Sequence, residues 1–125
     1  MNNCSYIQEQ PFMTSACLPA SANITKVKKA KQTMMEETEA LKISEVLKVL
    51  ADPTRIKILS TISNDELCVC EIALALEQSQ SLISHQLRPL RHLGLVKLRK
   101  NGRNMYYSLN NTGVSRILKE CKKMI

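Results

Sequence analysis

The sequence predicts a mainly α fold with a small β-hairpin wing (α+β), a dimeric winged helix-turn-helix, on three observations. First, residues 81–93 carry two faces at helical spacing. At 100° per residue, Ile83, Leu87, Leu90 and Gly94 share one stripe, while Ser81, His85, Arg88 and His92 share the opposite one. Second, a shorter segment, 67–76, begins extended and becomes helical just before it, so that helix, short turn and helix follow one another. Third, the period changes after Gly94 to partial alternation on both sides of Asn101-Gly102, the preferred pair for a two-residue type I′ hairpin.

Composition sets the outer limits. A chain of 125 residues holds one domain with an appended arm, and 44% hydrophobic content suffices for a core. With 3% aromatic residues and no Trp, that core is aliphatic. The net charge of +7, from 18 basic and 11 acidic residues, points to nucleic acid or an anionic surface. No run approaches the ~20 apolar residues of a membrane span, so no membrane partner is expected. The start, M-N-N-C-S-Y, lacks a basic region followed by an apolar one. No signal peptide is expected, and the chain reads as cytoplasmic. Five cysteines in that setting read as free thiols or metal ligands rather than a disulfide framework. No G-x-S-x-G, P-loop, H-E-x-x-H or spaced carboxylate pair is present, which argues against an enzyme and a small organic substrate.

Taken in order, residues 1–24 form a flexible arm, interrupted by Pro11 and Pro19, that carries Cys4 and Cys17. Residues 25–125 form the DNA-binding and dimerisation domain. From Thr25 the chain turns helical, as two helices or one broken helix, with Lys26–Lys31 as a solvated basic face and Leu41, Ile43, Val46, Leu47 and Leu50 as apolar positions. Asp52-Pro53 is a helix start, with Asp52 as cap and Pro53 at the first position, where a missing N–H costs nothing. That helix runs to about Ile62, and Ser63-Asn64-Asp65 breaks it. Ser79 caps the two-faced helix. Pro89 lies inside that helix, where a proline can cost ~3 kcal/mol, and leaves it open to a kink near Arg88. The last helix, 112–125, aligns Val114, Ile117, Leu118, Cys121 and Ile125 on one stripe that packs on the domain or on a second subunit. Of Tyr106 and Tyr107, which alternate on a strand, one is core and the other surface.

Two kinds of chemistry stand side by side. Ser79, Ser81, Ser84, His85, Gln86, Arg88 and Arg91 are the candidates for contact with DNA along the two-faced helix. Lys97, Arg99, Lys100 and Arg103 make the hairpin a basic wing for phosphates. Cys68 and Cys70 form a thiol pair. Two residues apart, they diverge by ~200° within a full helix, so chelation by both requires the helix to begin at or after about Val69. Thiolates select soft ions: up to four sulfurs suit cadmium, lead or zinc, and three suit arsenite or antimonite. A thiol redox switch is a further reading of the same pair. His85 and His92 lack partners at metal-ligand spacing, so a zinc site built on them is not expected.

These segments resemble the ArsR/SmtB family of dimeric metal-sensing repressors across roughly 43–109. A-D-P-T-R-I-K-I-L at 51–59, E-L-C-V-C-E-I-A at 66–73, S-H-Q-L-R-x-L-R at 84–91, G-L-V at 94–96 and Y-Y-S-L at 106–109 all fit. The resemblance implies a homodimer that binds double-stranded operator DNA and leaves it when an ion binds. The E-L-C-V-C segment is similar to the thiolate-sensing, CadC-like members. It implies Cys68 and Cys70 as ligands for Cd2+, Pb2+ or Zn2+, joined by Cys4 and Cys17 from the other subunit's arm. The alternative is a member sensing As(III) or Sb(III). Some of those carry a third cysteine where Ala73 stands, so an arm cysteine would have to complete that site. A second family site on the last helix uses Asp and His, and Asn110-Asn111-Thr112-Gly113 offers neither. The family turn commonly has Gly where Glu77 stands.

Overall fold

The structure, a computed structural model, describes residues 20–125, which divide into two units between Glu37 and Thr38. Cys4 and Cys17 lie outside the described residues. In the first unit, helix α1 spans Ile24–Thr33 and is capped by Asn23, whose side chain accepts from the N–H groups of Thr25 (3.1 Å) and Lys26 (3.3 Å). Its Lys26, Lys28, Lys29 and Lys31 are exposed, as a solvated basic face should be.

The other elements run α2 (Glu37–Leu50), α3 (Pro53–Thr61), β1 (Leu67–Cys68), α4 (Val69–Leu76), α5 (Gln80–His92), β2 (Val96–Asn101), β3 (Asn104–Leu109) and α6 (Gly113–Lys123). The helical region after Thr25 is therefore two helices. Asp52 caps α3 as its sequence suggests, its Oδ2 accepting from the Arg55 N–H at 3.0 Å with Pro53 in the first turn. The sheet is antiparallel in the order β1-β3-β2, pairing Leu67 with Tyr107, Cys68 with Tyr106 and Arg99 with Tyr106. Ile58, Leu59, Ile62, Ile72, Ile83, Leu87 and Leu90 are almost wholly buried, and Leu50, Val96, Tyr107 and Val114 extend that core. Each such aliphatic side chain contributes roughly 1.5–3 kcal/mol. No helix among the described residues is long and apolar enough to cross a membrane.

Three local outcomes bear on these expectations. The hairpin loop lies one residue later, at Gly102-Arg103, because Asn101 pairs with Asn104. Gly102 has φ +63° and Arg103 is not in the positive region, so the loop has the type II′ pattern, with Gly at its first central position. Pro89 does not break α5. The helix runs unbroken to His92, and the Pro89 carbonyl still accepts from the Leu93 N–H at 3.2 Å. Glu77 does adopt the left-handed conformation that the family gives to Gly, with φ 56° and ψ 45°.

The two central helices end on the same backbone lock. After α4, the Gln78 N–H donates to the Ala73 carbonyl (3.0 Å) and the Glu77 N–H to the Leu74 carbonyl (3.3 Å). After α5, the Leu95 N–H donates to Leu90 (2.9 Å) and the Gly94 N–H to Arg91 (2.9 Å), with Gly94 at φ +73°. Both are Schellman closures, which need one residue at positive φ. Gly94 occupies that conformation freely, whereas Glu77 bears a Cβ strain of about 1–2 kcal/mol. Part of that is offset by the greater backbone entropy a glycine loses on folding. Glu77→Gly is therefore expected to stabilise the fold by about 0.5–1 kcal/mol, read as a higher urea midpoint with an unchanged slope. A lower midpoint would contradict the strain assigned to Glu77.

Candidate thiol centre and nucleic-acid interface

Cys68 ends β1 and is also the residue from which α4 starts, in extended conformation (φ −83°, ψ 167°). Cys70 sits one residue inside the helix. The change from strand to helix between them brings the two sulfurs together, with Sγ 2.9 Å from Sγ. The helix begins at Val69, the start that the spacing requires for both thiols to face one side. Two neighbours hold the junction. The β1–β3 pairing sets Cys68 opposite Tyr106. Glu71, three residues on, accepts the Cys68 N–H on Oε1 at 3.0 Å, and the Cys68 sulfur faces the Glu71 N–H. This is a capping box with sulfur in the place of a serine or threonine oxygen.

The thiols differ in access. Cys68 is buried and Cys70 is exposed. The Cys70 thiol beside it, and then burial, push the Cys68 thiol above the ordinary range, while the Glu71 backbone N–H pulls the other way. The Glu71 carboxyl is held below its usual range by the Cys68 N–H and side chain. Among the described residues, no group of three or more His, Cys, Asp or Glu comes together. The described residues therefore bring two sulfurs together without a third such donor beside them. Two Zn–S bonds of about 2.3 Å at a tetrahedral angle put their sulfurs about 3.8 Å apart. Two sulfurs are the donor type that soft ions take.

Across the sheet the thiol centre is contiguous with the wing. Cys68, Tyr106 and Arg99 stand opposite one another on adjacent strands, and such side chains share a face. The Arg99 guanidinium lies over the Tyr106 ring, 5.0 Å from its centre, and reaches Glu66 with Nη2 to Oε1 at 3.0 Å and Nε to Oε1 at 3.0 Å. The hydrogen bond from Arg99 holds the Glu66 carboxyl below its usual range. Arg99, expected on phosphates, is thus engaged within the chain. Lys97, Lys100 and Arg103 are exposed. Sequence reading missed Glu66, Glu71 and Tyr106. The Cys-x-x-Glu spacing could have revealed Glu71 as a capping-box residue. Nothing local signals a Glu66–Arg99 pair.

On α5, the Ser79 hydroxyl caps the helix by accepting from the Leu82 N–H at 3.2 Å, and it lies 3.3 Å from the Ser81 hydroxyl. Ser81, His85, Arg88, Arg91 and His92 are exposed and Ser84 is half-buried. Gln86 is half-buried and accepts from Arg55, a residue that sequence reading also missed. Residues of α2, α3 and α6 frame an open groove of about 760 Å³. Its walls include Leu47, Leu50, Ile56, Ile117, Leu118 and Cys121. The stripe on α6 is therefore only partly covered within the chain: Val114 is buried, Ile117 and Cys121 are exposed.

The chain is similar to known regulators over most of its length. A family model described as "Bacterial regulatory protein, arsR family" matches residues 52–97. A transcriptional repressor SmtB homolog of Synechocystis sp. is 38% identical over 104 residues, covering 83% of this chain and 79% of that protein. A cadmium resistance transcriptional regulatory protein CadC homolog of Staphylococcus aureus is 38% identical over 96 residues, covering 76% and 78%. Among solved structures, one neighbour is the homodimeric winged helix-turn-helix DNA-binding domain of a possible ArsR-family regulator from Mycobacterium bovis. It superposes with a TM-score of 0.63 at 28% identity, covering 73% of this chain and 86% of that one.

The unequal thiols make a direct expectation for the free protein. A thiol with a raised pKa carries less thiolate at a given pH and reacts more slowly with an alkylating agent. Iodoacetamide at neutral pH is expected to modify Cys70 before Cys68. The Cys68 rate should reach its half-maximum above the pH of an unperturbed thiol, as read by peptide mass spectrometry across a pH series. Faster labelling of Cys68 would contradict the pairing described.

Proposed function

The chain belongs to the arsR family of bacterial regulatory proteins, whose members are transcriptional regulators and not enzymes, and on that premise we propose how it works. It is a homodimeric repressor that binds operator DNA and is released when a soft metal ion is held by Cys68 and Cys70. The convergence of the two sulfurs at 2.9 Å, at the start of the first helix of the helix-turn-helix, carries this reading. The names of the relatives, an SmtB-type repressor and a cadmium-resistance regulator, support it.

In this reading α5 presents Ser81, Ser84, His85 and Arg88 to the major groove, while Arg91 and the wing cations Lys97, Lys100 and Arg103 meet phosphates. Binding of the ion displaces protons from the thiols, so affinity falls as pH drops. Chelation of a tetrahedral ion replaces the contact between the free thiols and holds the sulfurs about 3.8 Å apart, which requires movement at the junction. Cys68 is fixed by its pairing with Tyr106, so Cys70 and the first turn of α4 take up the movement. Ile72 and Ala73 of α4 share a close-packed core with Ile83 and Leu87 of α5, which passes the shift to the reading helix. The remaining ligands come from Cys4 and Cys17, on the resemblance to thiolate sensors. Cadmium, lead and zinc fit a four-sulfur set. Arsenite or antimonite needs three, and the buried Ala73 offers no third sulfur on α4. The groove between α2, α3 and α6 is the seat of the second subunit, which would cover Ile117 and Leu118.

Replacing one thiol tests the proposal, because Cys70 lies off the outward face of α5. Serine is close to cysteine in shape and supplies no soft thiolate. Cys70→Ser is expected to fold and to bind the upstream operator within about twofold of wild type. It should then stay bound under cadmium, lead, zinc or arsenite, at an ion concentration at least about tenfold above that which releases wild type, since losing a ligand costs no less than losing an outer-shell partner. Release of Cys70→Ser at the wild-type concentration would remove the thiol pair from the mechanism.

A further inference from the structure

Arg55 connects three helices through its donors. It stands in the first turn of α3, and its own N–H is held by the Asp52 cap at 3.0 Å. Its Nη1 donates to the Val49 carbonyl at 3.1 Å. That carbonyl belongs to the last turn of α2, where backbone acceptors lack a helical partner. Its Nε donates to Gln86 Oε1 at 2.7 Å, a short bond across 31 positions of sequence. Arginine offers donors only, so the oxygen of the Gln86 amide must face it and the NH2 must turn away. Gln86 also sits badly for groove contact. On a helix it lies about 130° from the centre of the Ser81–His85–Arg88–His92 stripe but only about 70° from the buried one. Reading an adenine with glutamine takes both the oxygen and the NH2 of the side chain, and here the oxygen is committed.

We infer that Arg55 and Gln86 are positioning residues: together they form a strut from the junction of α2 and α3 to the recognition helix, and Gln86 reads no base. The DNA part of this inference rests on the function proposed above. Leu47, Leu50 and Ala51, at the α2 end of the strut, line the groove assigned there to the second subunit. The strut therefore ties the angle of each recognition helix to the subunit interface, which sets how two such helices meet successive major grooves. A half-buried charged donor leaves little slack, because a Gln86 without its oxygen strands the guanidinium against the core.

Two substitutions at one position, with two readouts, test it. Gln86→Glu keeps an oxygen for Arg55, and Gln86→Met removes it at similar length. In free protein, amides of α5 are expected to exchange with deuterium about tenfold faster in Gln86→Met and at the wild-type rate in Gln86→Glu, the tenfold being about the loss of one hydrogen bond to a charged donor. Exchange at Ile58 and Val114 should stay unchanged in both. This readout needs no DNA, so its outcome is independent of the repressor reading. On duplexes carrying single base changes, Gln86→Met should bind every sequence about tenfold more weakly with the order of preference preserved. Wild-type exchange in Gln86→Met would overturn the strut. A changed base preference would overturn the positioning role and return Gln86 to the groove.

Discussion

Everything at the thiol centre depends on where one helix begins. Had α4 started two residues earlier, Cys68 and Cys70 would lie about 200° apart on its surface and could not share a ligand. The start at Val69 is held from both sides. Upstream, Leu67 and Cys68 are drawn into the sheet by Tyr107 and Tyr106. Downstream, Glu71 takes the Cys68 N–H and its own N–H turns to the sulfur. The strand cannot extend and the helix cannot start sooner without breaking one of these. The same residue that caps the helix is thus one of the two thiols, so a change at the sulfur is felt directly at the helix terminus.

That junction borders both elements proposed to touch DNA. On one side α4 packs on α5 through fully buried aliphatic residues, with Ile72 against the layer of Ile83 and Leu87. On the other, Cys68 is followed across the sheet by Tyr106 and then Arg99 of the wing. The paired Schellman closures after α4 and α5 fix the lengths of these helices with the same pattern of bonds. The strained one falls at Glu77, between the thiol helix and the reading helix, where the connection must turn sharply. Arg55 adds the third tie, from the end of α2 to Gln86. Helix α5 is consequently held at its flank, its core stripe and both ends, and its outward stripe is exposed.

Local signals in the sequence were enough for the elements and their faces. The 100° spacing separated the buried Ile83, Leu87 and Leu90 from the exposed Ser81, His85 and Arg88. Asp52-Pro53 and Ser79 marked helix starts because capping is a matter of two or three adjacent residues. The helix start between the cysteines was legible too, as a condition on the spacing. What escaped was non-local: Arg55 with Gln86 across 31 positions, and Arg99 with Glu66 across 33. A periodicity assigns a residue to a face but not to a partner, so it gave no sign of the donor that meets Gln86 or the acceptor that meets Arg99. The hairpin slipped by one residue for a related reason. Asn-Gly is a strong turn pair, but the register of the whole ladder, from Val96–Leu109 to Asn101–Asn104, decides which two residues remain for the loop.

Linkage supplies the most direct test of coupling between the thiols and the reading helix. If the ion releases the operator by biasing one shared element, the operator must weaken ion binding by the same factor. Cadmium should be titrated into the reduced protein, free and saturated with operator, following the sulfur-to-metal absorption. The expected result is an affinity reduced by operator by the same factor, within error, as the separately measured loss of operator affinity on cadmium binding. Equal cadmium affinities with and without operator would contradict any coupling between Cys68, Cys70 and α5.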